Sequence, residues 1–329
     1  MNNILVIIYF FLIFILMIFS YFYLLPYLKK LKFGQSIRKE GPRSHYIKSG
    51  TPTIGGIIIF ITFLLSLILF IILFKNLSFT YSEILDFILI LFVMIGYFII
   101  GLIDDLLIII KKNNKGLSPL LKFALELIIS ILFYFLYLYF NKSTKVSFFN
   151  LDIELFFLYG PFICLIFTSC TNATNLTDGL DGLLSMSILP VIVGFIFMGM
   201  LFGNNSVVIV SVSMLISIII FLFFNFSKAK LFMGDTGSLM LGGYLGVMAI
   251  ILNIPFILLI FGFIFVIETL SVILQVYFFK RTKGKRLFKM SPIHHHLELS
   301  GFKEATIAIL YFIISTICVV VGVVLKLVI

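Results

Sequence analysis

The sequence predicts an all-α polytopic membrane protein with ten transmembrane helices. Of its 329 residues, 62% are hydrophobic and only 12% are charged, and the mean hydropathy is +1.24. Ten apolar runs are each long enough to cross a bilayer. Basic residues are concentrated in alternate loops between these runs. A soluble core could not bury this much apolar surface, because too little polar surface would remain to cover it.

The ten apolar runs follow one another along the chain with short polar connections. We predict spans at residues 3–28, 54–74, 83–103, 119–140, 159–176, 183–202, 207–226, 238–253, 254–279 and 306–327. The segment 141–158 alternates weakly between polar and apolar residues, which favours a small β-hairpin on the outer side. Since no repeat or low-complexity linker divides the chain, residues 1–329 are predicted to form a single integral membrane domain.

Basic residues decide the predicted orientation. One set of loops carries 19 Lys or Arg residues, and the opposite set together with both termini carries 4. By the positive-inside rule the rich side is cytoplasmic, so both termini are predicted to face outward. This asymmetry explains the formal charge of +10 without a nucleic-acid partner.

Five of the seven aspartates fall on the predicted cytoplasmic side. They are Asp104, Asp105, Asp178, Asp181 and Asp235. A carboxylate near lipid is costly unless a cation or another partner compensates it. Hard oxygen ligands suit Mg²⁺. The sequence therefore predicts a divalent cation and polar chemistry at this edge of the bilayer.

Asp104 and Asp105 stand at the end of the third predicted span. Two neighbouring acids at a helix C-terminus are disfavoured by their mutual repulsion and by the helix dipole. A bound cation would remove both penalties. The alternative is an idle, solvated pair.

The run from Asn172 to Gly182 is the strongest chemical signal. Asn, Thr, Asp and Gly interrupt two apolar spans where a two-residue turn would suffice. On a helix, Asp178 and Asp181 would share a face, and their spacing does not fit the twelve-residue calcium loop. We predict these two residues and Asp235 as metal ligands, and Asp235 also as a helix cap.

The first predicted cytoplasmic loop ends in a stretch rich in Gly and Thr. Small residues allow close backbone approach, and the N–H groups at the start of the following helix would suit a phosphate. Thr51 or Thr53 could cap that helix, and Lys48 is a candidate cation for an anionic ligand. The alternative is a basic connector made positive by topology alone.

The last cytoplasmic loop combines basic residues with three consecutive histidines. A zinc site is disfavoured because adjacent helical positions do not share a face, and Mg²⁺ fits the surrounding carboxylates better. We predict that His294, His295 and His296 hydrogen-bond an anionic or nucleotide ligand. Arg286 and Lys289 are candidate cations for the same ligand.

Two acids lie inside predicted spans. Glu126 and Glu268 are each predicted to face the protein interior with a polar partner. Lys122, one helical turn before Glu126, is the expected partner of that side chain.

Taken together, these motifs resemble the phospho-N-acetylmuramoyl-pentapeptide transferase family, within the polyprenyl-phosphate N-acetylhexosamine-1-phosphate transferases. The matching blocks, in family order, are residues 33–56, 101–105, 172–182, 232–238 and 291–298, followed by Gly301 and Glu304. The paired aspartates and the 172–182 block are typical of the wider superfamily, and the histidine block is typical of the muramoyl branch. Ile108 stands where the family usually has Lys, so the role of that lysine is not carried over.

The resemblance implies a fold of ten transmembrane helices, usually a homodimer, in the bacterial cytoplasmic membrane. It implies that undecaprenyl phosphate attacks UDP-MurNAc-pentapeptide, which releases UMP and gives lipid I for peptidoglycan synthesis. The implied cofactor is Mg²⁺.

The residues matched to the motifs receive hypothetical roles. Asp104 or Asp105 is the candidate general base, Asp235 holds the metal, and the three histidines are assigned to catalysis. Residues assigned to substrate are Lys48, Thr53, Lys122, Asn172, Asn175, Asp178, Asp181, Asn225, Arg286 and Lys289.

Two other functions remain open on the sequence. A sister transferase would use UDP-GlcNAc as its donor. A secondary transporter would place its acids near the bilayer midplane on broken helices, whereas these acids cluster at one surface.

Overall fold

A computed structural model of the protein describes residues 3–30, 51–73, 79–111, 116–148 and 151–328, and helices dominate this part of the chain. The helices are α1 Asn3–Phe19, α2 Leu25–Lys30, α3 Gly56–Leu73, α4 Tyr81–Lys111, α5 Pro119–Tyr139, α6 Tyr159–Thr177, α7 Leu183–Leu201, α8 Asn205–Asn225, α9 Gly234–Ile251, α10 Pro255–Phe261, α11 Phe263–Arg281, α12 Ile293–Glu298 and α13 Glu304–Val328. A π-helical turn, Ser20–Leu24, joins α1 to α2, and a 3-10 turn, Phe156–Leu158, leads into α6.

The prediction of an all-α polytopic membrane protein is confirmed. Within the described residues, nine helices are long and apolar enough to cross a membrane, namely α3 to α9, α11 and α13. Helix α1, with 17 residues before the π-helical turn, is not among these nine.

Several predicted spans differ in extent from the observed helices, among them the third and the ninth. The span predicted at 83–103 belongs to α4, which continues to Lys111. The span predicted at 254–279 is divided into α10 and α11 at Gly262. Hydropathy marks the apolar part of a helix rather than its end, because charged residues such as Lys are good helix formers.

Local sequence signals explain where several helices begin. Thr80 and Glu83 form a capping box at the start of α4: the Glu83 amide donates to Thr80 Oγ1 (3.2 Å), and the Thr80 amide donates to Glu83 Oε2 (2.7 Å). Ser118 caps α5, whose first residue is Pro119. Asn204 caps α8 by accepting from the Val207 amide at 3.1 Å.

The predicted hairpin is present and lies at one end of the helix bundle. Strands β1 (Lys145–Phe148) and β2 (Leu151–Glu154) pair antiparallel. Asn253, which follows α9, bonds the hairpin through the Ser147 amide and hydroxyl, at 3.1 and 2.9 Å. Helix α5 leads to this hairpin over 21 residues, which corresponds to about 30 Å of helix. The hairpin is therefore far from the residues at the start of α5.

Helix α9 forms the centre of the bundle. Its residues from Thr236 to Ile250 are all buried, and four glycines in this stretch allow neighbouring helices to approach closely. Helix α4 also contributes a glycine to its contact with α9. A Cβ atom on Gly101 would lie 2.1 Å from the carbonyl oxygen of Asp235. The contact between α4 and the start of α9 therefore depends on a missing side chain at position 101.

We expect Gly101→Ala to destabilise the protein, because the added methyl group meets backbone that cannot move independently. Overpacking of this kind costs about 1–3 kcal/mol. Gly96→Ala on the same helix is the matched control, since its methyl group would lie 2.9 Å from the flexible tip of Ile129. Thermal unfolding in detergent should give a lower midpoint for Gly101→Ala than for Gly96→Ala. Equal midpoints would contradict this account of the α4–α9 contact.

Candidate active site

The ends of several helices meet at the end of the bundle away from the hairpin. Three carboxylates converge there: Asp104 and Asp105 on α4, and Asp235 in the first turn of α9. Each contributes an oxygen, and these three oxygens lie within 4.8 Å of one another. Asp104 and Asp105 are buried, whereas the Asp235 side chain is 25% exposed and is the most accessible of the three.

Asp104 and Asp105 do not end their helix, so the predicted penalty from the helix dipole is wrong. Helix α4 continues through them to Lys111. Consecutive positions on a helix point in different directions. The two acids accordingly bind different parts of the site.

Asp105 caps the N-terminus of α9 from the neighbouring helix. Its Oδ1 accepts from the Asp235 amide (3.1 Å), and its Oδ2 accepts from the amide (2.9 Å) and hydroxyl of Thr236. A carboxylate at a helix N-terminus pairs with unsatisfied N–H groups and with the positive end of the dipole. Asp235 was predicted to cap this helix itself, and that prediction is wrong because Asp105 supplies the cap.

Asp104 faces the chain that leads into α5. Its Oδ1 accepts from the Leu117 amide at 2.8 Å. A Cβ atom on Gly116 would lie 2.4 Å from Asp104 Oδ2, so only a glycine fits beside this carboxylate. The Asp235 side chain is also within hydrogen-bonding distance of Asp104.

Asp235 is held by one cation and one amide. Lys122, in the first turn of α5, forms an ion pair with Asp235 Oδ2. Asn175 on α6 donates to Asp235 Oδ1 at 2.7 Å and to Ser238 Oγ at 3.0 Å. Lys122 was predicted to pair with Glu126, and this is wrong. The Glu126 carboxylate instead accepts from Thr171 at 2.9 Å and from Asn172 at 3.3 Å.

The chemistry of this cluster fits a divalent cation. Three carboxylates and the Lys122 ammonium carry a formal charge of about −2 when the acids are ionised. Hard oxygen donors suit Mg²⁺, whose ligands lie about 2.1 Å from the ion. Oxygens on opposite sides of such an ion are therefore about 4 Å apart. The three carboxylate oxygens lie within 4.8 Å of one another, which is close to that oxygen–oxygen distance.

Asp178 lies next to the cluster but outside it. It follows the last residue of α6, Thr177, and the Gly234 amide is its hydrogen-bond partner. Burial, followed by the negative charges of Asp235 and Asp105, raises the pKa of Asp178 well above its usual range. The carboxyl group is therefore poised to gain from any positive charge that enters the site.

Asp181 braces a neighbouring loop. Its Oδ2 accepts from the Ala229 amide at 2.8 Å, and its own amide donates to Glu304 at 3.1 Å. The prediction that Asp178 and Asp181 share a helical face is wrong, because α6 ends before both and Gly182 has a left-handed φ of 73°. Metal or nucleotide binding by these two acids stays a prediction.

Asn225 braces the same region from the end of α8. Its Oδ1 accepts from the Gly182 amide and its Nδ2 donates to the Leu231 carbonyl, both at 2.9 Å. The side chain is buried. These contacts join the 178–182 turn to the chain that leads into α9, and the predicted contact of Asn225 with substrate stays a prediction.

The start of α3 does not offer the predicted phosphate site. The Gly55 and Gly56 amides donate to the carbonyls of Phe232 and Met233, at 2.8 and 2.9 Å. The next three amides of α3 bond within their own turn. Thr53 is buried beside this pairing, and Lys48 lies outside the described residues.

The three histidines of α12 bond three different partners. His294 Nδ1 bonds Glu268 Oε2 at 2.9 Å, and His295 Nδ1 bonds Glu298 Oε2 at 3.2 Å. His296 Nδ1 accepts from the Lys289 amide at 3.2 Å. His294 is buried, and its Nε2 faces the 178–182 turn, since a Cβ atom on Gly179 would lie 2.2 Å from it. Hydrogen bonding of an anionic or nucleotide ligand by these histidines stays a prediction.

The two predicted basic residues of the last loop bind backbone carbonyls. Arg286 donates to the Lys289 carbonyl at 3.2 Å, and Lys289 Nζ donates to the Leu299 carbonyl at 3.1 Å. Arg286 and Lys289 are both exposed, so both remain candidates for an anionic ligand.

Sequence reasoning missed two residues that shape the site. Thr236 binds Asp105 with its amide and its hydroxyl, and Tyr311 on α13 donates to the buried Glu268. The position of Thr236 within the 232–238 block was a usable signal. Tyr311 had none, because it lies in an apolar span far from every motif.

The fold and the site define a class of protein: a polytopic membrane enzyme whose acidic, cation-compatible site lies at one end of a helix bundle. Residues 87–253 match the family described as glycosyl transferase family 4. These residues include Asp104, Asp105, Asp178 and Asp235.

Similar proteins identify the branch of this class. A phospho-N-acetylmuramoyl-pentapeptide-transferase of Staphylococcus carnosus is 43% identical over 304 residues, covering 91% of this chain and 92% of the relative. Those of Staphylococcus aureus strain MSSA476 and Bacillus subtilis strain 168 are 44% and 42% identical, covering 91% of this chain and 92% and 91% of the relatives. The chain belongs to the phospho-N-acetylmuramoyl-pentapeptide-transferase family and is therefore a phosphotransferase. The resemblance inferred from its motifs is confirmed.

We expect Asp105→Asn to destabilise the protein more than Asp104→Asn. Asp105 makes three bonds to the start of α9, whereas Asp104 accepts one backbone bond among the described residues. Loss of a charged helix cap costs about 0.5–2 kcal/mol. Thermal unfolding in detergent without added metal would measure the difference. A larger loss for Asp104→Asn would show that the α9 cap is not the main role of Asp105.

Proposed function

We propose that this protein transfers phospho-MurNAc-pentapeptide from UDP-MurNAc-pentapeptide to undecaprenyl phosphate, giving lipid I and UMP for peptidoglycan synthesis. One observation carries the proposal: three carboxylates from α4 and α9 converge at one end of an otherwise apolar bundle. The family relationship supplies the substrates. A donor in water and an acceptor in lipid must meet at a membrane surface, and the position of the cluster at one end of the helix bundle supports such a site.

The proposed cofactor is Mg²⁺, which Asp235 would hold, with Asp104, Asp105 and Asp178 around it. Bound there, the ion would neutralise phosphate charge and orient the reacting groups. Lys122 already pairs with Asp235, so its ammonium is close enough to assist with a phosphate of the donor. We retain Asp181, Asn172, Asn175, Arg286 and Lys289 as candidate contacts of the donor.

The reaction forms one P–O bond and breaks another. A phosphate oxygen of the lipid attacks the β-phosphorus of the donor, and UMP leaves. A phosphate monoester has a second pKa near ~6, so about 90% is already dianionic at pH 7. Complete deprotonation by a general base would therefore raise the dianionic fraction only about 1.1-fold in bulk terms, and more where the site raises that pKa.

Asp104 is the better candidate for the base of the two neighbouring acids. Both oxygens of Asp105 accept bonds from the start of α9, so a proton taken up there would weaken the cap. Asp104 accepts one backbone bond, from Leu117, among the described residues. Direct attack by the lipid is preferred, and an aspartyl-bound phosphosugar is the alternative.

We propose ten transmembrane spans with the site on the cytoplasmic side of a bacterial cell membrane. The tenth span is the continuous helical segment Asn3–Lys30, formed by α1, the π-helical turn and α2. The excess of 19 basic residues over 4 supports this orientation, with both termini outside. Residues 1–329 then form one integral membrane domain. The family resemblance implies that the protein forms a homodimer.

Asp235→Ala should remove Mg²⁺-dependent turnover. The expected loss in kcat is at least about 100-fold, because a pre-organised charged group at the reacting phosphates is removed. UMP release in the presence of undecaprenyl phosphate measures it. Asp152→Asn is the control, since Asp152 bonds Ser147 on the distant hairpin. Near-normal turnover by a folded Asp235→Ala protein would exclude this site for the metal.

The sugar nucleotide that the protein uses as donor distinguishes the muramoyl reaction from that of a sister transferase. With undecaprenyl phosphate as acceptor, we expect UMP release from UDP-MurNAc-pentapeptide and not from UDP-GlcNAc. Turnover of UDP-GlcNAc alone would overturn the muramoyl assignment. UMP release that requires neither lipid phosphate nor Mg²⁺ would contradict the proposed transfer altogether.

A further inference from the structure

A buried polar triad links α11, α12 and α13 beneath the site. Its members are Glu268, His294 and Tyr311, whose side chains are all nearly or fully buried. Tyr311 donates its hydroxyl to Glu268 Oε1, and Glu268 Oε2 bonds His294 Nδ1 at 2.9 Å. No step of the proposed reaction uses Glu268 or Tyr311.

The two hydrogen bonds of Glu268 determine which ring nitrogen of His294 carries the hydrogen. An ionised carboxylate only accepts hydrogen bonds, and a buried carboxylate requires donors to compensate its charge. Tyr311 supplies one donor. His294 Nδ1–H supplies the other, so in the neutral imidazole Nε2 carries a lone pair.

The Nε2 atom of His294 is directed at the site. It is buried and has no hydrogen-bond partner among the described residues. It faces the backbone at Gly179, where a Cβ atom would lie 2.2 Å away. Gly179 directly follows Asp178, which neighbours the carboxylate cluster. A buried polar atom without a partner is costly, and a ligand bound beside the 178–182 turn could supply one.

We propose that Glu268, held by Tyr311, is a positioning residue that fixes the His294 ring with Nδ1 protonated, so that Nε2 accepts a hydrogen bond from an O–H or N–H group of the bound ligand. This inference rests on the proposed function only in placing a ligand beside the 178–182 turn. A phosphate oxygen is not the expected partner, because two acceptors would then face each other.

Glu268→Gln tests the proposal because it keeps the shape of the side chain and removes its charge. The kcat for UMP release should fall at least tenfold with little change in KM. In a His294→Gln background the same substitution should cause no further loss, because Glu268 acts through that ring. The nitrogen NMR signals of ¹⁵N-labelled histidines, assigned with His294→Gln, should show His294 moving from the Nδ1–H form towards the Nε2–H form.

Tyr311→Phe is the second variant and keeps the test decisive if Glu268→Gln fails to fold. It should lower kcat about threefold and change the His294 signal, because Glu268 then keeps only the Nδ1–H of His294 as a donor. The control is Tyr244→Phe on α9, which also removes a buried hydroxyl. This hydroxyl bonds Ser211 on α8 at 2.8 Å. Tyr244→Phe should leave both the kcat and the His294 signal unchanged.

Three results would overturn the proposal. They are an unchanged His294 signal in both variants, an equal loss of kcat from Glu268→Gln with and without His294, and full turnover by His294→Gln. None of these results affects the transfer reaction itself, which the Asp235 and donor experiments test separately.

Discussion

The site depends on the carboxylate of Asp105 bound at the N-terminus of α9. This charged cap joins the two helices that carry the acidic cluster, and it lies beside the close approach of Gly101 to the Asp235 carbonyl. A helix N-terminus presents several unsatisfied N–H groups, and a buried carboxylate requires donors. The N–H groups at the start of α9 therefore supply the donors that the Asp105 carboxylate requires, and the carboxylate supplies their acceptor. The contact also places Asp235, the next acid of the cluster, at a fixed distance from Asp104.

Hydrogen bonds to backbone groups also hold the loops around the site in place. The chain before α3 bonds Phe232 and Met233, Asn225 joins Gly182 to Leu231, and Asp181 holds Ala229. The segment before α9 is thus fixed from three directions. A reaction that needs alignment and charge neutralisation more than covalent help benefits from such rigid placement. The polar side chains of these loops mostly bind backbone groups.

The opposite end of the bundle is stabilised independently of this chemistry. Asp86 pairs with Lys142 at 2.6 Å and accepts from Asn204 at 2.9 Å. Glu83 accepts from the Asn205 amide at 2.8 Å, and the hairpin is held by Asn253. Ionic and polar contacts therefore tie the helices together at both ends, while the middle packs through apolar side chains and glycines. The aspartates at this end, Asp86 and Asp152, therefore stabilise the fold.

The sequence by itself determined the membrane class, most spans, the hairpin and the identity of the acids, because hydropathy and turn composition act locally. Only the tertiary structure decided how the acids are used. It extended α4 beyond Asp105, gave the cap of α9 to that residue, and paired Lys122 with Asp235 rather than Glu126. A polar side chain binds whichever donor or cation the packing of distant helices brings near, and spacing along the chain does not contain that information.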